Sequence, residues 1–281
     1  MKNLKEMTMA KSEVMRTFDN LRPSGLGYHA AIAMVLDFSG SCEPLKERQL
    51  EVFENTVKFS IDKGPKTWLI LMVIYGAEAG ENACSGCRVI YSGYMDSFPL
   101  EDFLGTAMQT KCTGLSPIAE AVEEATGYLE ALEQYFDEHR FVHTCNTLMV
   151  LSDYFPEYGR NYRPDLKESV GSIRRKVEQQ ELLLLEFTIT KLAKELSFGG
   201  YTINYGHDGS EDAIKKCHLK IEAIVKALII ASQTRKVENR HIADDDEVRT
   251  LTPKALSASY RRAMLNKFED TYQHTSLFSE V

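Results

Sequence analysis

The sequence has no apolar run long enough to cross a bilayer: the longest, Trp68 to Tyr75, falls far short of the roughly twenty residues that a helical span needs. Nor does the start of the chain hold an apolar centre. Met1 to Arg16 is charged throughout, so no leader peptide is read there, and the expectation is a cytoplasmic protein with no membrane partner. Basic residues are in deficit, 33 Lys and Arg against 41 Asp and Glu. The resulting net charge of −8 repels phosphate backbones and disfavours nucleic acid as a partner. Cysteine is sparse, six in all, and only Cys84 and Cys87 stand at a metal or redox spacing. No second C-x-x-C or H-x-x-x-H follows to complete a tetrahedral set, so these read as plain loop thiols in a reducing compartment. Internal repeats are absent too.

What is present is an ordinary globular composition, with 43% hydrophobic and 26% charged residues. From about residue 30 to about 232, short apolar runs alternate with longer amphipathic stretches, the rhythm of a doubly wound, mostly parallel α/β sheet with helices on both faces. Ala31–Leu36, Trp68–Tyr75 and Leu148–Leu151 are uniformly apolar, as strands covered on both faces should be. Val89–Tyr91, Leu182–Ile189 and Tyr201–Tyr205 complete about six strands. Val89–Tyr91 is expected at an edge and, lacking a long helical connection, is free to run antiparallel.

Leu50, Phe53, Val57 and Ile61 share one helical stripe that ends near Gly64-Pro65, and Ile118 to Phe136 forms another, with Ser116 expected as its cap. Further helices are expected over Asp165–Gln179, Lys191–Ser197 and Ile214–Leu228. The rhythm stops past Gln233, and the run Asp244-Asp245-Asp246-Glu247 marks an edge. Three regions follow: an N-terminal segment 1–27, a domain 28–232, and a tail 233–281. Thr252-Pro253 can start a helix over 253–270 in that tail, with Leu256, Tyr260, Met264 and Phe268 every four residues, to dock on the domain or on a partner.

In an open α/β sheet, ligands bind beyond the carboxyl ends of the strands, near the point where strand order reverses. The residues ending the strands are therefore the ones to read. The first strand runs into Asp37-Phe38-Ser39-Gly40-Ser41, Leu148–Leu151 runs into Ser152-Asp153, and Thr113 precedes the helix that starts near Ser116. Asp37, Ser39, Ser41, Thr113 and Asp153 offer hard oxygen ligands of the kind that suit Mg²⁺, with Mn²⁺ or Ca²⁺ as alternatives. A turn leaving a strand can point its first, third and fifth residues into one volume. Two hydroxyls and few carboxylates leave a cation under-neutralised and open to an outside carboxylate.

With these elements the sequence resembles the von Willebrand factor type A family, whose metal ion-dependent adhesion site uses D-x-S-x-S, then a Thr, then an Asp. The resemblance covers roughly residues 28 to 232. It implies that Ser39, Ser41 and Thr113 touch the metal directly, that Asp37 and Asp153 act largely through water, and that a partner's acidic group takes the remaining position. It further implies an adaptor in a multi-protein assembly, with bacterial stress or defence systems as the setting. Two departures stand out: Cys42 occupies a place where many members have Met, and Cys112 one where Gly often precedes the Thr, so that Cys112 threatens to crowd the loop.

Competing readings are weaker. Ser39 and Ser41 could simply cap a helix, but that leaves Thr113 and Asp153 unexplained. A phosphotransferase starting from Asp37 needs a second acid two residues on, where Ser39 stands. Ser-Gly-Ser is no nucleophile elbow, although His207-Asp208 could complete a triad. A metal-dependent hydrolase would draw on Glu43 or Asp153 as base, and a metal-free scaffold would need none of these groups. No catalytic residue is assigned. After Asp153, the loop residues Tyr154, Phe155, Tyr158 and Arg160 have the composition of an interface anchor, and equally of rings packing a loop onto a sheet. Arg174-Arg175-Lys176 and His218 read as solvated helix surface. Oligomeric state is not legible.

Overall fold

A computed structural model describes residues 4, 7–21, 28–64, 68–76, 87–113, 116–144, 146–153, 164–189, 197–206, 210–233 and 253–277. In chain order the elements are α1 (Lys11–Asp19), β1 (Tyr28–Asp37), a 3-10 segment (Gly40–Leu45), α2 (Lys46–Lys63), β2 (Trp68–Tyr75), β3 (Cys87–Tyr94) and α3 (Leu100–Gln109). There follow α4 (Ile118–Glu138), β4 (Val142–His143), β5 (Asn146–Ser152), α5 (Pro164–Glu178), β6 (Leu182–Thr188), β7 (Tyr201–Asn204), α6 (Glu211–Gln233) and α7 (Pro253–Leu277).

The strands lie in the order β3-β2-β1-β5-β6-β7. All neighbours are parallel except β2 and β3, which are antiparallel. The short β4 pairs with β1 at Tyr28↔Val142, and β5 takes over along the same strand from Ile32↔Thr147 to Leu36↔Leu151. Six strand positions therefore suffice, one of them broken in two. This is the doubly wound sheet that the apolar rhythm implies, and its order reverses between β1 and β5.

Alternation along each strand sends its side chains to two cores. Ile32, Met34 and Leu36 of β1 join Ile70 and Met72 of β2, Met149 and Leu185 on one face, together with Phe53 of α2, Ile224 and Leu228 of α6, and Met264 and Phe268 of α7. Ala31, Ala33 and Val35 turn to the opposite face with Leu148, Val150 and Leu184, against Val122, Leu129 and Phe136 of α4 and Val14 and Phe18 of α1. Strands covered on both sides need no polar positions, which is why β1, β2 and β5 read as unbroken apolar runs.

Two helices were not legible in the periodic pattern. α1 is short, yet Val14 and Phe18 recur at a spacing of four and are buried. α3 buries Leu100, Phe103 and Ala107. Phe53 meets Phe98 and Phe103 edge-on, with centroids 6.0 and 5.1 Å away.

The expected cap of α4 is corrected: Pro117 holds the cap position, and no side chain caps the helix. Ser197, placed at the end of a helix from sequence, lies outside regular structure; residues 191–196 are outside the described set. The basic cluster of α5 does structural work as well as facing solvent. Arg174 Nε donates to Ser197 O at 2.8 Å, and Lys176 pairs with Glu130 of α4. His218 of α6 lies 2.9 Å from Glu51 of α2, so it links two helices rather than decorating a surface.

α7 packs on the sheet. Tyr260, Met264 and Phe268 are buried, and Phe268 and Tyr272 meet Tyr201 of β7 with centroids 5.1 and 5.0 Å away. At the amino ends of the strands, Arg261 pairs with Glu133 of α4, and the His143 N–H donates to Ser257 Oγ at 3.2 Å. At the far edge, the Met9 N–H donates to Val89 O of β3 at 2.8 Å, so the chain just before α1 touches that strand. Among the described residues, no helix is long and apolar enough to cross a membrane.

Candidate metal centre

β1 and β5 are adjacent parallel strands from which the chain turns away in opposite directions, so a crevice opens beyond their carboxyl ends. Asp37 ends β1 and Asp153 follows β5; both are buried. Asp37 Oδ1 accepts the Ser39 N–H at 2.8 Å, the local turn that Asp forms with the backbone two residues on. Its Oδ2 accepts the Ser152 hydroxyl at 2.7 Å, and Ser152 Oγ in turn accepts the Tyr75 hydroxyl at 3.0 Å. One chain of hydrogen bonds thus links β2, β5 and β1. Burial raises the Asp37 carboxyl above its ordinary value, against the lowering pull of Ser39, Ser152 and Tyr75.

Where the two strands part, their terminal carbonyls would lose their partners. The buried Gln49 of α2 spans the gap, its Nε2 donating to Asp37 O at 3.0 Å and to Leu151 O at 3.3 Å. Gly76, at φ +92°, closes β2 directly under the Ser39 turn. A Cβ there would lie 2.6 Å from the Phe38 carbonyl carbon, so only glycine lets the two backbones approach this closely.

The Ser39 and Ser41 hydroxyls are 3.2 Å apart. Two oxygens bound at right angles to one Mg²⁺ at 2.0–2.1 Å are separated by about 2.9 Å, so the observed spacing fits a shared cation. The Thr113 N–H donates to Phe38 O at 2.9 Å, which seats the Thr113 loop on the Asp37–Ser41 turn. Two further groups brace that loop: Glu43 Oε2 accepts the Cys112 N–H at 2.6 Å, and Lys46 Nζ donates to Thr110 O at 2.7 Å. The Cys112 backbone N–H, with Lys46 in support, holds the Glu43 carboxyl below its ordinary value.

Ligand atoms of Asp37, Cys42 and Asp153 lie within 4.8 Å of one another. Burial, then the charges of Asp37 and Asp153, push the Cys42 thiol well above its ordinary value. Tyr205, just past β7, has a buried hydroxyl without a hydrogen-bond partner among the described residues. Burial first, then the charges of Cys42, Asp37 and Asp153, raise it.

No family model matches the sequence, and no curated protein matches it. The structural neighbours include a von Willebrand factor type A domain. That domain, from Catenulispora acidiphila, is 13% identical with a TM-score of 0.46, over 71% of this chain and 43% of its own. The pilus adhesin SpaC from Lactobacillus rhamnosus GG, in its open conformation, is 11% identical with a TM-score of 0.45, over 88% of this chain and 30% of its own. Proximal thread matrix protein 1 from the mussel byssus is 16% identical with a TM-score of 0.41, over 70% of this chain and 46% of its own. The chain spans less than half the length of each, and at these identities the likeness is one of fold.

The five residues singled out by the von Willebrand factor type A motif fall in one region. Asp37, Ser39 and Ser41 share the first turn, Thr113 reaches it through its backbone, and Asp153 reaches it through the cluster with Asp37 and Cys42. Tyr154, Phe155, Tyr158 and Arg160 lie outside the described residues, as do Cys84 and the His207-Asp208 pair. Cys112 is buried, and its backbone N–H is held by Glu43. Sequence reasoning overlooked the supports. Gln49, Tyr75, Ser152 and Tyr205 carry no spacing signal, because each acts across elements far apart in the chain.

Proposed function

We propose that this chain is a protein-interaction module in which a divalent cation, held by Asp37, Ser39, Ser41, Thr113 and Asp153, docks an acidic group of a partner protein. The observation that carries this reading is the pair of hydroxyls 3.2 Å apart beside a buried carboxylate at the strand-order reversal. Such a set suits Mg²⁺, with Mn²⁺ or Ca²⁺ as alternatives. A cation there would supply a Lewis-acidic position for a carboxylate. The residues do the rest. Ser152 and the Ser39 N–H fix the Asp37 oxygens, Gln49 holds the two strand ends at their separation, and Glu43 with Lys46 holds the Thr113 loop in place.

Glu43, one candidate base for a hydrolase, is committed to the Cys112 N–H and lies 3.4 Å from Lys46, which favours docking over catalysis. The setting we propose is an adaptor inside the cell, in an assembly of the kind that serves bacterial stress or defence. Calorimetric titration with Mg²⁺ and Mn²⁺ tests the site: wild type should bind one equivalent and Asp37→Ala none. Retention on a carboxylate-bearing resin, reversed by EDTA and lost in Thr113→Ala, tests the docking. Metal-independent retention would overturn it.

A further inference from the structure

We infer that the cation site of this chain includes the sulfur of Cys42, and that it therefore selects a thiophilic transition-metal ion of the Zn²⁺ class over Mg²⁺. The inference rests on the metal-site reading above and sharpens which ion fills the site. Cys42 lies in the first turn of the 3-10 segment, its N–H donating to Ser39 O at 3.0 Å. The side chain is fully buried, and its sulfur belongs with the Asp37 and Asp153 carboxylates to the group spanning at most 4.8 Å. Ligands of a tetrahedral Zn²⁺, at about 2.3 Å for sulfur and about 2.0–2.2 Å for oxygen, lie roughly 3.5 Å apart. The group needs to contract by at most about 1.3 Å.

A buried thiol ordinarily serves as a small apolar filler. Cys42 does border the apolar core on the α2 face, but its sulfur also lies within 4.8 Å of the Asp37 and Asp153 carboxylate oxygens, which a filler does not require. A second, independent feature points the same way. Tyr205 is 1% exposed, and its buried hydroxyl lacks a hydrogen-bond partner among the described residues. The groups whose charges act on it are Cys42, Asp37 and Asp153, ahead of Cys217. A buried hydroxyl without a partner among the described residues, within electrostatic reach of two acids and a thiol, is costly unless a further group satisfies it. Oxygen ligands alone favour hard cations, whereas a sulfur ligand moves the preference toward Zn²⁺ and Co²⁺. On binding, the S–H bond gives way to a metal–sulfur bond and the proton leaves to solvent, with no change of oxidation state.

The test is X-ray absorption on the full chain loaded with one equivalent of Zn²⁺, beside optical spectra with Co²⁺. Expected are a single sulfur neighbour at about 2.3 Å among oxygen neighbours, and a sulfur-to-Co²⁺ charge-transfer band. In Cys42→Ser the band should vanish and the preference for Zn²⁺ over Mg²⁺ should fall by more than the roughly 10- to 100-fold that losing an outer-shell partner costs. Mg²⁺ binding should remain. Zn²⁺ bound without sulfur overturns this inference and leaves the metal-site reading intact. Two or more sulfurs place the ion elsewhere and overturn it as well. Failure of every divalent ion to bind, or binding untouched by Asp37→Ala, overturns both. If Cys42→Ser does not fold by circular dichroism, the wild-type sulfur count decides, with Asp153→Asn, expected to lose the band, as the second variant.

Discussion

Two buried carboxylates of the same sheet are treated in opposite ways. Glu186, in β6, is fully buried and satisfied: Oε1 accepts the Phe198 N–H at 2.9 Å, and Oε2 accepts the Ser197 hydroxyl at 2.6 Å and the Gly200 N–H at 2.9 Å. Three donors from one loop surround one anion, and the loop is tied to the strand. Asp37 also has its donors, but it lies within 4.8 Å of ligand atoms of a second carboxylate and a thiol. The first arrangement is completed by its own loop, and the second is the one we propose a cation completes. Burial of charge marks function only where the local donors do not complete it.

Substitutions can break this contrast, and the largest effect is expected at the Glu186 site. Glu186→Ala strands one buried and two part-buried donors, and denaturant melts should show a loss of about 3 kcal/mol with the metal affinity of the surviving folded protein unchanged. At the Asp37 site the cost should be linked to metal instead. Asp37→Asn should change stability in EDTA by less than about 1 kcal/mol, yet forfeit the gain of about 2.7 kcal/mol that wild type draws from metal at a hundred times its dissociation constant. Thermal shifts with and without metal check this, and an equal shift in both proteins would erase the distinction.

Gly76→Ala falls between the two, because it strains a backbone that serves the site. The φ of +92° and the contact with the Phe38–Ser39 backbone should cost about 2 kcal/mol and weaken metal binding together.

The smallest effect belongs to a third buried group, His143. Its Nδ1 lies 3.1 Å from Thr144 O, and burial holds its imidazole below the ordinary value of 6.5. The unfolded chain then takes up a proton that the folded chain refuses. Stability is complete above that ordinary value and declines as pH falls from it toward the lower folded value. His143→Phe should flatten the slope of melting temperature between about pH 7 and pH 5.

Much of the fold was legible because its strands are buried on both faces, and an apolar run such as Trp68–Tyr75 has few other uses. α1 and α3 escaped because two or three buried positions in nine or ten residues do not establish a period. Within the site, residues on one turn, Asp37, Ser39 and Ser41, declare themselves by spacing. Gln49, Tyr75 and Tyr205 come from α2, β2 and the end of β7, and their convergence is a property of strand order rather than of local sequence. Cys42 was visible only as a departure, since nothing in a lone thiol's position says that two carboxylates will meet it.

The segment before α1, hydrogen-bonded through Met9 to Val89 of β3, has a consequence for how molecules of this protein meet one another. An open strand edge is a template for adding foreign strands, and sheets commonly blunt it with a covering segment or a short final strand. Here one margin is met by Met9 at Val89 and the other ends in β7, only four residues long. Removing the segment would free the Val89 carbonyl at the outer edge of β3, and the shortened chain should assemble edge to edge and precipitate on standing while its core remains built.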